Sequence, residues 1–214
     1  MKFAREGRPF ILVGFGVLGA LGALAAVAGG GWWAAPVAWL PVALWIPAFF
    51  RDPARQGPRG DGLVIAPADG RVVSIVELDE PEFVRGRALR ISVFMNVFNV
   101  HVNRHPVSGT VALRAYRPGT FVNATLDKAS EHNEQMSLGI RTARGPVLVR
   151  QIAGLVARRI VTDPAVGETV TQGERLGLIR FGSRVDTFLP ADAVPGVQVG
   201  DRTRAGETVI GEWP

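Results

Sequence analysis

Between Pro9 and Phe50 the chain carries no charged side chain, and this apolar run divides at Gly29-Gly30-Gly31 into two 19-residue halves, Phe10 to Ala28 and Trp32 to Phe50. As a helix rising about 1.5 Å per residue, each half would be roughly 28 Å long, close to the ~30 Å hydrocarbon core of a bilayer. The pattern predicts a membrane-associated helical hairpin over residues 1–50, with the glycines as its turn. Lys2, Arg5 and Arg8 precede the run and Arg51, Arg55 and Arg59 follow it, which places both ends on one side of the membrane, the cytoplasmic one. Gly16, Gly19 and Gly22 are expected to let the two helices approach, and Pro36, Pro41 and Pro47 to kink the second or keep it shallow. Two alternatives compete: a hairpin buried in a core, and a secretory signal cleaved after Ala26-Val27-Ala28. Under the second, Trp32 to Phe50 would remain as an anchor.

After Phe50 the pattern changes. Residues 51–62 are charged and rich in Pro and Gly, as in a linker, and 63–214 alternate short Val/Ile/Leu runs with Gly/Pro/Asp punctuation. Strands are expected at Leu63 to Ala66, Arg71 to Val76, Leu89 to Phe94, Val107 to Tyr116, Val147 to Ile152, Leu176 to Ile179 and Val185 to Leu189. Thr125 to Glu134 and Ala157 to Val161 look irregular or briefly helical. The fold class is mainly β, a barrel-sandwich-like antiparallel domain behind the helical hairpin. Val166-Gly167-Glu168 to Gly173-Glu174 repeats 33 residues later as Val199-Gly200-Asp201 to Gly206-Glu207, a hairpin device in which glycine supplies positive φ. Lipoyl-type carrier domains use similar repeats, but neither copy here holds the lysine that a carrier modifies.

Composition narrows the chemistry. The 214 residues include 24 Lys+Arg against 19 Asp+Glu, no Cys and three His. Thiolate nucleophiles and cysteine-ligated metals are excluded, and no metal site is predicted. Lys2 and Lys128 are the only lysines, so a lysine Schiff base has little support. Residues 51–214 carry 21 basic and 18 acidic side chains (24 − 3 and 19 − 1), a modest excess that suits anionic headgroups better than nucleic acid.

Three stretches could carry chemistry. Ala66-Pro67-Ala68-Asp69-Gly70 puts an acid on a turn leaving a strand, although a turn aspartate commonly bonds its own backbone. Phe94 to Pro106 packs His101, Asn103, Arg104 and His105 behind an apolar strand, and a histidine there could move protons near neutrality. His105 and His132 read more simply as structural and solvated histidines. Arg180-Phe181-Gly182-Ser183-Arg184 places a Gly-Ser pair between two strand-like runs, which alone is an ordinary turn.

In order, Phe49-Phe50-Arg51-Asp52-Pro53, Pro67-Ala68-Asp69-Gly70, Val100-His101-Val102-Asn103-Arg104-x-Pro106 and Phe181-Gly182-Ser183 resemble the short form of the phosphatidylserine decarboxylases. The resemblance implies a proenzyme that cuts itself between Gly182 and Ser183, giving a β chain of 1–182 and an α chain of 183–214. Ser183 would become a pyruvoyl cofactor, the electron sink for converting phosphatidylserine to phosphatidylethanolamine and CO2. His101, oriented by Asp69, is the expected base for self-cleavage and the expected proton carrier in decarboxylation. Longer members tend to show His-x-x-His-x-Pro, and here Arg104 stands in the second histidine's place. His105, shifted by one, could share the work, or Arg104 could bind the substrate's phosphate or carboxylate. The implied partners are the membrane, the phospholipid substrate, the two processed chains and a homo-oligomeric assembly. A lipoyl-like adaptor and a serine hydrolase using Ser183, His101 and Asp69 are the rival readings. The second lacks a Gly-x-Ser-x-Gly elbow.

Overall fold

The computed structural model of the chain describes residues 2–119, 133–154, 159–180 and 183–214. They form two compact units, Met1–Ala54 and Arg55–Pro214.

The first unit is the hairpin. Helix α1 (Arg8–Ala28) has Pro9 in its first turn, where the missing N–H has no intrahelical partner to lose. It stops at Gly29 and Gly30, whose φ of 69° and 55° are the positive values that glycine tolerates. A 3-10 turn, Gly30–Trp33, leads into α2 (Ala34–Phe49), which accommodates Pro41 and Pro47 in its interior. At the open end, strands β1 (Lys2–Phe3) and β2 (Arg51–Asp52) pair antiparallel.

The helices meet at Gly14 and not at the glycines expected. Trp39 Nε1 donates to the Gly14 carbonyl at 2.9 Å, and a Cβ on Gly14 would lie 2.7 Å from Ile46 Cδ1. A Cβ on Gly16, Gly19 or Gly22 would meet nothing within 4 Å. The buried positions of α1 are Gly14 and Ala25, eleven residues and about three turns apart, so those three glycines lie off the contact stripe. The outer faces stay apolar, with Leu12 74%, Val27 89% and Val37 66% exposed. That exterior disagrees with a hairpin buried in a core. Both helices are long and apolar enough to cross a membrane, and their exposed apolar surface points to membrane association.

The second unit is almost entirely antiparallel β. Its first seven strands are β3 (Leu63–Ile65), β4 (Gly70–Glu80), β5 (Gly86–Met95), β6 (Val102–Arg104), β7 (Gly109–Arg117), β8 (Gln135–Thr142) and β9 (Gly145–Ala153). There follow β10 (Ile160–Thr162), β11 (Thr169–Val170), β12 (Arg175–Ile179), β13 (Ser183–Pro190), β14 (Val194–Pro195), β15 (Arg202–Thr203) and β16 (Val209–Glu212). One curled sheet runs β11-β7-β8-β9-β13-β5-β4-β15, with smaller sheets β10-β12-β6 and β14-β16-β3. Ile91, Val93, Ile140, Val149, Leu176, Ile179, Val185 and Leu189 pack into one core cluster between these layers. This is the mainly β, barrel-sandwich-like class expected.

Local expectations fared unevenly. Strands β8 and β16 were not foreseen, and Ile160–Thr162 is a strand where an irregular or helical stretch was expected. Most of the segment expected at Thr125 to Glu134 lies outside the described residues, as does the start of the one at Ala157.

The repeat explains both edges of the large sheet. Gly167, Gly173, Gly200 and Gly206 all have positive φ, at 92°, 85°, 101° and 76°. The first copy exchanges backbone bonds with Val111 of β7, through Gly167 N and Glu168 O. The second does the same with Val72 of β4, through Gly200 N and Asp201 O. Each copy therefore supplies an edge strand, β11 or β15, folded back on its sheet. Residues 55–62 also lie against this unit: Arg59 Nη1 donates to the Gly206 carbonyl at 2.8 Å and Gly60 N to Gln172 Oε1 at 3.0 Å.

Candidate active site

Strand β13 is paired along both edges, to β5 over Ser183–Pro190 and to β9 over Ser183–Phe188. Every residue from Ser183 to Leu189 is buried, as expected of a central strand covered on both faces. Ser183 heads this strand, opposite Met95 on one side and Ala153 on the other. Its hydroxyl points at Met95 Sδ, 3.6 Å away.

The same sulfur takes Asn103 Nδ2 at 3.5 Å. Gln151 Nε2 donates to Asn103 Oδ1 at 2.7 Å, and Thr162 Oγ1 donates to Gln151 Oε1 at 2.6 Å. Four strands thus contribute to one buried polar chain in which each amide is fixed by its neighbour, leaving the Asn103 N–H directed at the thioether beside Ser183. Asn103 was marked only as part of the polar stretch before Pro106, with no role of its own, and Gln151 was not foreseen; its one signal was a polar side chain inside the apolar run Val147 to Ile152.

His101 is fully buried, one residue before β6. Val102 pairs with Leu178, so His101 comes level with Ile179, four residues short of Ser183 along the chain. Its Nδ1 lies 3.0 Å from the Asn99 carbonyl. A carbonyl only accepts, so in the neutral ring Nδ1 carries the hydrogen and Nε2 the lone pair.

Asp69 is anchored elsewhere. One oxygen accepts from Arg55 Nη2 at 2.7 Å and the other from the Ala205 amide at 2.7 Å. Arg55 also lies 3.5 Å from Glu207. Asp69 makes no hydrogen bond to His101 among the described residues, and the orientation expected from it comes from Asn99. Arg104 is close by: its backbone N–H donates to the Pro67 carbonyl, and its Nη1 to the Gly173 carbonyl at 3.1 Å. Glycine is needed at 206 because a Cβ there would press within 2.8 Å of Arg104 Cδ. Gly182 and His132 lie outside the described residues.

A family model for phosphatidylserine decarboxylase matches residues 42–211, from the end of the hairpin through all the groups just described. A phosphatidylserine decarboxylase proenzyme of Symbiobacterium thermophilum is 52% identical over 212 residues, covering 99% of this chain and 95% of the relative. The chain belongs to the phosphatidylserine decarboxylase family.

Within this decarboxylase His105 differs sharply from His101. It is 2% exposed, its backbone bonds bridge to Gly173 and Glu174, and burial lowers its pKa to about 4. At neutral pH it is an uncharged structural residue. The lowered folded value means that the unfolded chain binds the extra proton first as pH falls below the ordinary histidine value of about 6.5. Stability from this group is therefore complete above about pH 6.5 and declines toward pH 4, by up to about 3 kcal/mol. His105→Gln should flatten that part of the stability curve, measured by urea unfolding between these pH values.

Proposed function

We propose that this decarboxylase makes its own catalytic group by breaking the Gly182–Ser183 bond, and then decarboxylates phosphatidylserine to phosphatidylethanolamine at a membrane surface. The observation that carries the reading is Ser183 itself: a buried hydroxyl at the head of a doubly paired central strand, sharing the Met95 sulfur with a fixed amide N–H. A serine kept for packing alone would not need that polar chain behind it.

Self-cleavage starts with Ser183 Oγ attacking the Gly182 carbonyl carbon. Glycine has no Cβ to obstruct the approach. His101 takes the hydroxyl proton at Nε2, and the amide shifts to an ester as the C–N bond breaks. Loss of the ester carboxylate from Cβ leaves dehydroalanine, and water then replaces its nitrogen, which departs as ammonia. The Asn103 amide is a suitable donor for the oxyanion that forms on the attacked carbonyl.

The surroundings of Ser183 fit a pyruvoyl group, since they are dry, polar on one side and rigid. That group supplies the carbonyl that accepts the electron pair freed when CO2 leaves. His101 then returns a proton to the substrate's Cα, its ring held by the Asn99 carbonyl. Asp69 supports the loop that carries Arg104 through Pro67 and Arg55, and so acts on the site by positioning it. The hairpin 1–50 keeps this unit at the cytoplasmic face of the bacterial inner membrane, where a two-chain lipid need not leave the bilayer. The processed α and β chains remain together, and the enzyme assembles as a homo-oligomer.

Intact mass of the purified protein tests the first step. Wild type should give two fragments, 1–182 and 183–214, and Ser183→Ala one full-length species. One intact chain from an active wild-type preparation would contradict the proposal. Removing residues 1–50 should leave processing complete and lower turnover on liposomes by at least about 10-fold, while turnover on detergent-dispersed lipid changes far less. Equal liposome activity with and without the hairpin would refute its role.

A further inference from the structure

Arg71 and Arg202 are direct cross-strand partners, one on β4 and the other on edge strand β15. Residues directly opposite in an antiparallel pair project from the same face, and like charges there are destabilising. Their neighbours Val72 and Thr203 are buried, so both arginines point away from the core, and both are exposed. Neither has a hydrogen-bond or ion-pair partner among the described residues. Nothing among the described residues compensates this juxtaposition.

The two arginines line a cavity of about 600 Å³, shared with Gly70, Phe94, Asn96, Phe98 and Asn99. Phe94, on β5, extends the row, since it pairs with Arg71 of β4. Asn96 and Asn99 close a tight turn on each other: Asn96 N donates to Asn99 Oδ1 at 2.9 Å and Phe98 N to Asn96 Oδ1 at 2.9 Å. The turn holds Phe98 outward, 72% exposed, and its last residue is the one whose carbonyl orients His101. The cavity thus has two guanidiniums on one wall, aromatic surface on another, and Gly70 and Asn99 where it adjoins Asp69 and His101.

We infer that this cavity is the phosphate subsite of the enzyme, in which Arg71 and Arg202 together bind the phosphodiester of the phospholipid headgroup while Phe98 meets the apolar side of the lipid. This rests on the decarboxylation reading. A phosphodiester is separated from the serine Cα by one oxygen and one carbon, so its site must adjoin the residue that handles the Cα proton, and the Asn96–Asn99 turn supplies that adjacency. A guanidinium pair satisfies two phosphate oxygens at once, which relieves the repulsion built into the β4–β15 pairing. Arg104, the earlier candidate for this task, is tied to the Gly173 carbonyl.

The test uses the full chain in detergent micelles, as wild type, Arg71→Gln, Arg202→Gln, the double variant and Arg71→Lys. Self-cleavage is read by mass, glycerophosphoserine and inorganic phosphate binding by calorimetry, and CO2 release from phosphatidylserine by steady-state kinetics. The proposal expects complete cleavage in all five. Each single Gln change should raise KM and the Kd for glycerophosphoserine about 10-fold, with kcat moving less than about 3-fold, and Arg71→Lys should recover part of the loss. Unchanged KM and unchanged glycerophosphoserine binding in the double variant would overturn it. So would loss of inorganic phosphate binding alone, which would mark a free-anion site. Should wild type bind glycerophosphoserine through these arginines yet release no CO2, the phosphate site stands and the decarboxylation reading falls.

Discussion

The sheet pairing of β13 is the constraint on which the rest depends. It is hydrogen-bonded to β5 along its whole length and to β9 along most of it, and the residues after it add β15 against β4 and β16 against β3. A break in the backbone just before Ser183 would therefore free one chain end without freeing the segment. The new terminus would stay where Ser183 now sits, beside Met95 and Asn103. The segment 183–214 is woven into two sheets rather than appended to them, so the two pieces would keep their register.

Burial sets the chemistry available there. Ser183, His101, Asn103 and Gln151 are all 0–1% exposed. Polar groups so placed are costly unless bonded, and the Thr162–Gln151–Asn103 sequence of donors and acceptors meets that requirement one link at a time. Met95 ends the chain with a soft acceptor that can yield to a stronger one. On the other side, the Asp69–Arg55 pair is nearly dry, at 13% and 8% side-chain exposure. It locks the Pro67–Gly70 turn to the second repeat through Ala205 and Glu207, and removing either charge would strand the other.

Much of this was legible in the sequence, for identifiable reasons. The hairpin follows from an uncharged run split by glycines, and the four repeat glycines announced positive φ at the sheet edges. Other features were hidden. Strand β8, Gln135–Thr142, mixes Gln, Ser, Gly and Arg with Leu and Ile because it is buried by different neighbours on each face, so no clean alternation results. Gly14 outcompeted Gly16, Gly19 and Gly22 as the helix contact because Trp39 and Ile46 lie opposite it, which spacing along one helix does not reveal. Asp69 and His101 were grouped by chemical type, whereas Asn99 and Arg55, each nearer in the fold, take their hydrogen bonds. A partner chosen by the fold can be a backbone carbonyl or a distant arginine, and neither carries a motif.

The proposed chemistry depends on the identity of the group at position 183 in the mature enzyme. Reducing the mature enzyme with borohydride and weighing the smaller fragment addresses it directly. A 32-residue piece (214 − 182 = 32) with a blocked terminus that takes up a pair of hydrogen atoms on reduction is the result predicted. A free amino-terminal serine in a preparation that still releases CO2 would contradict the account.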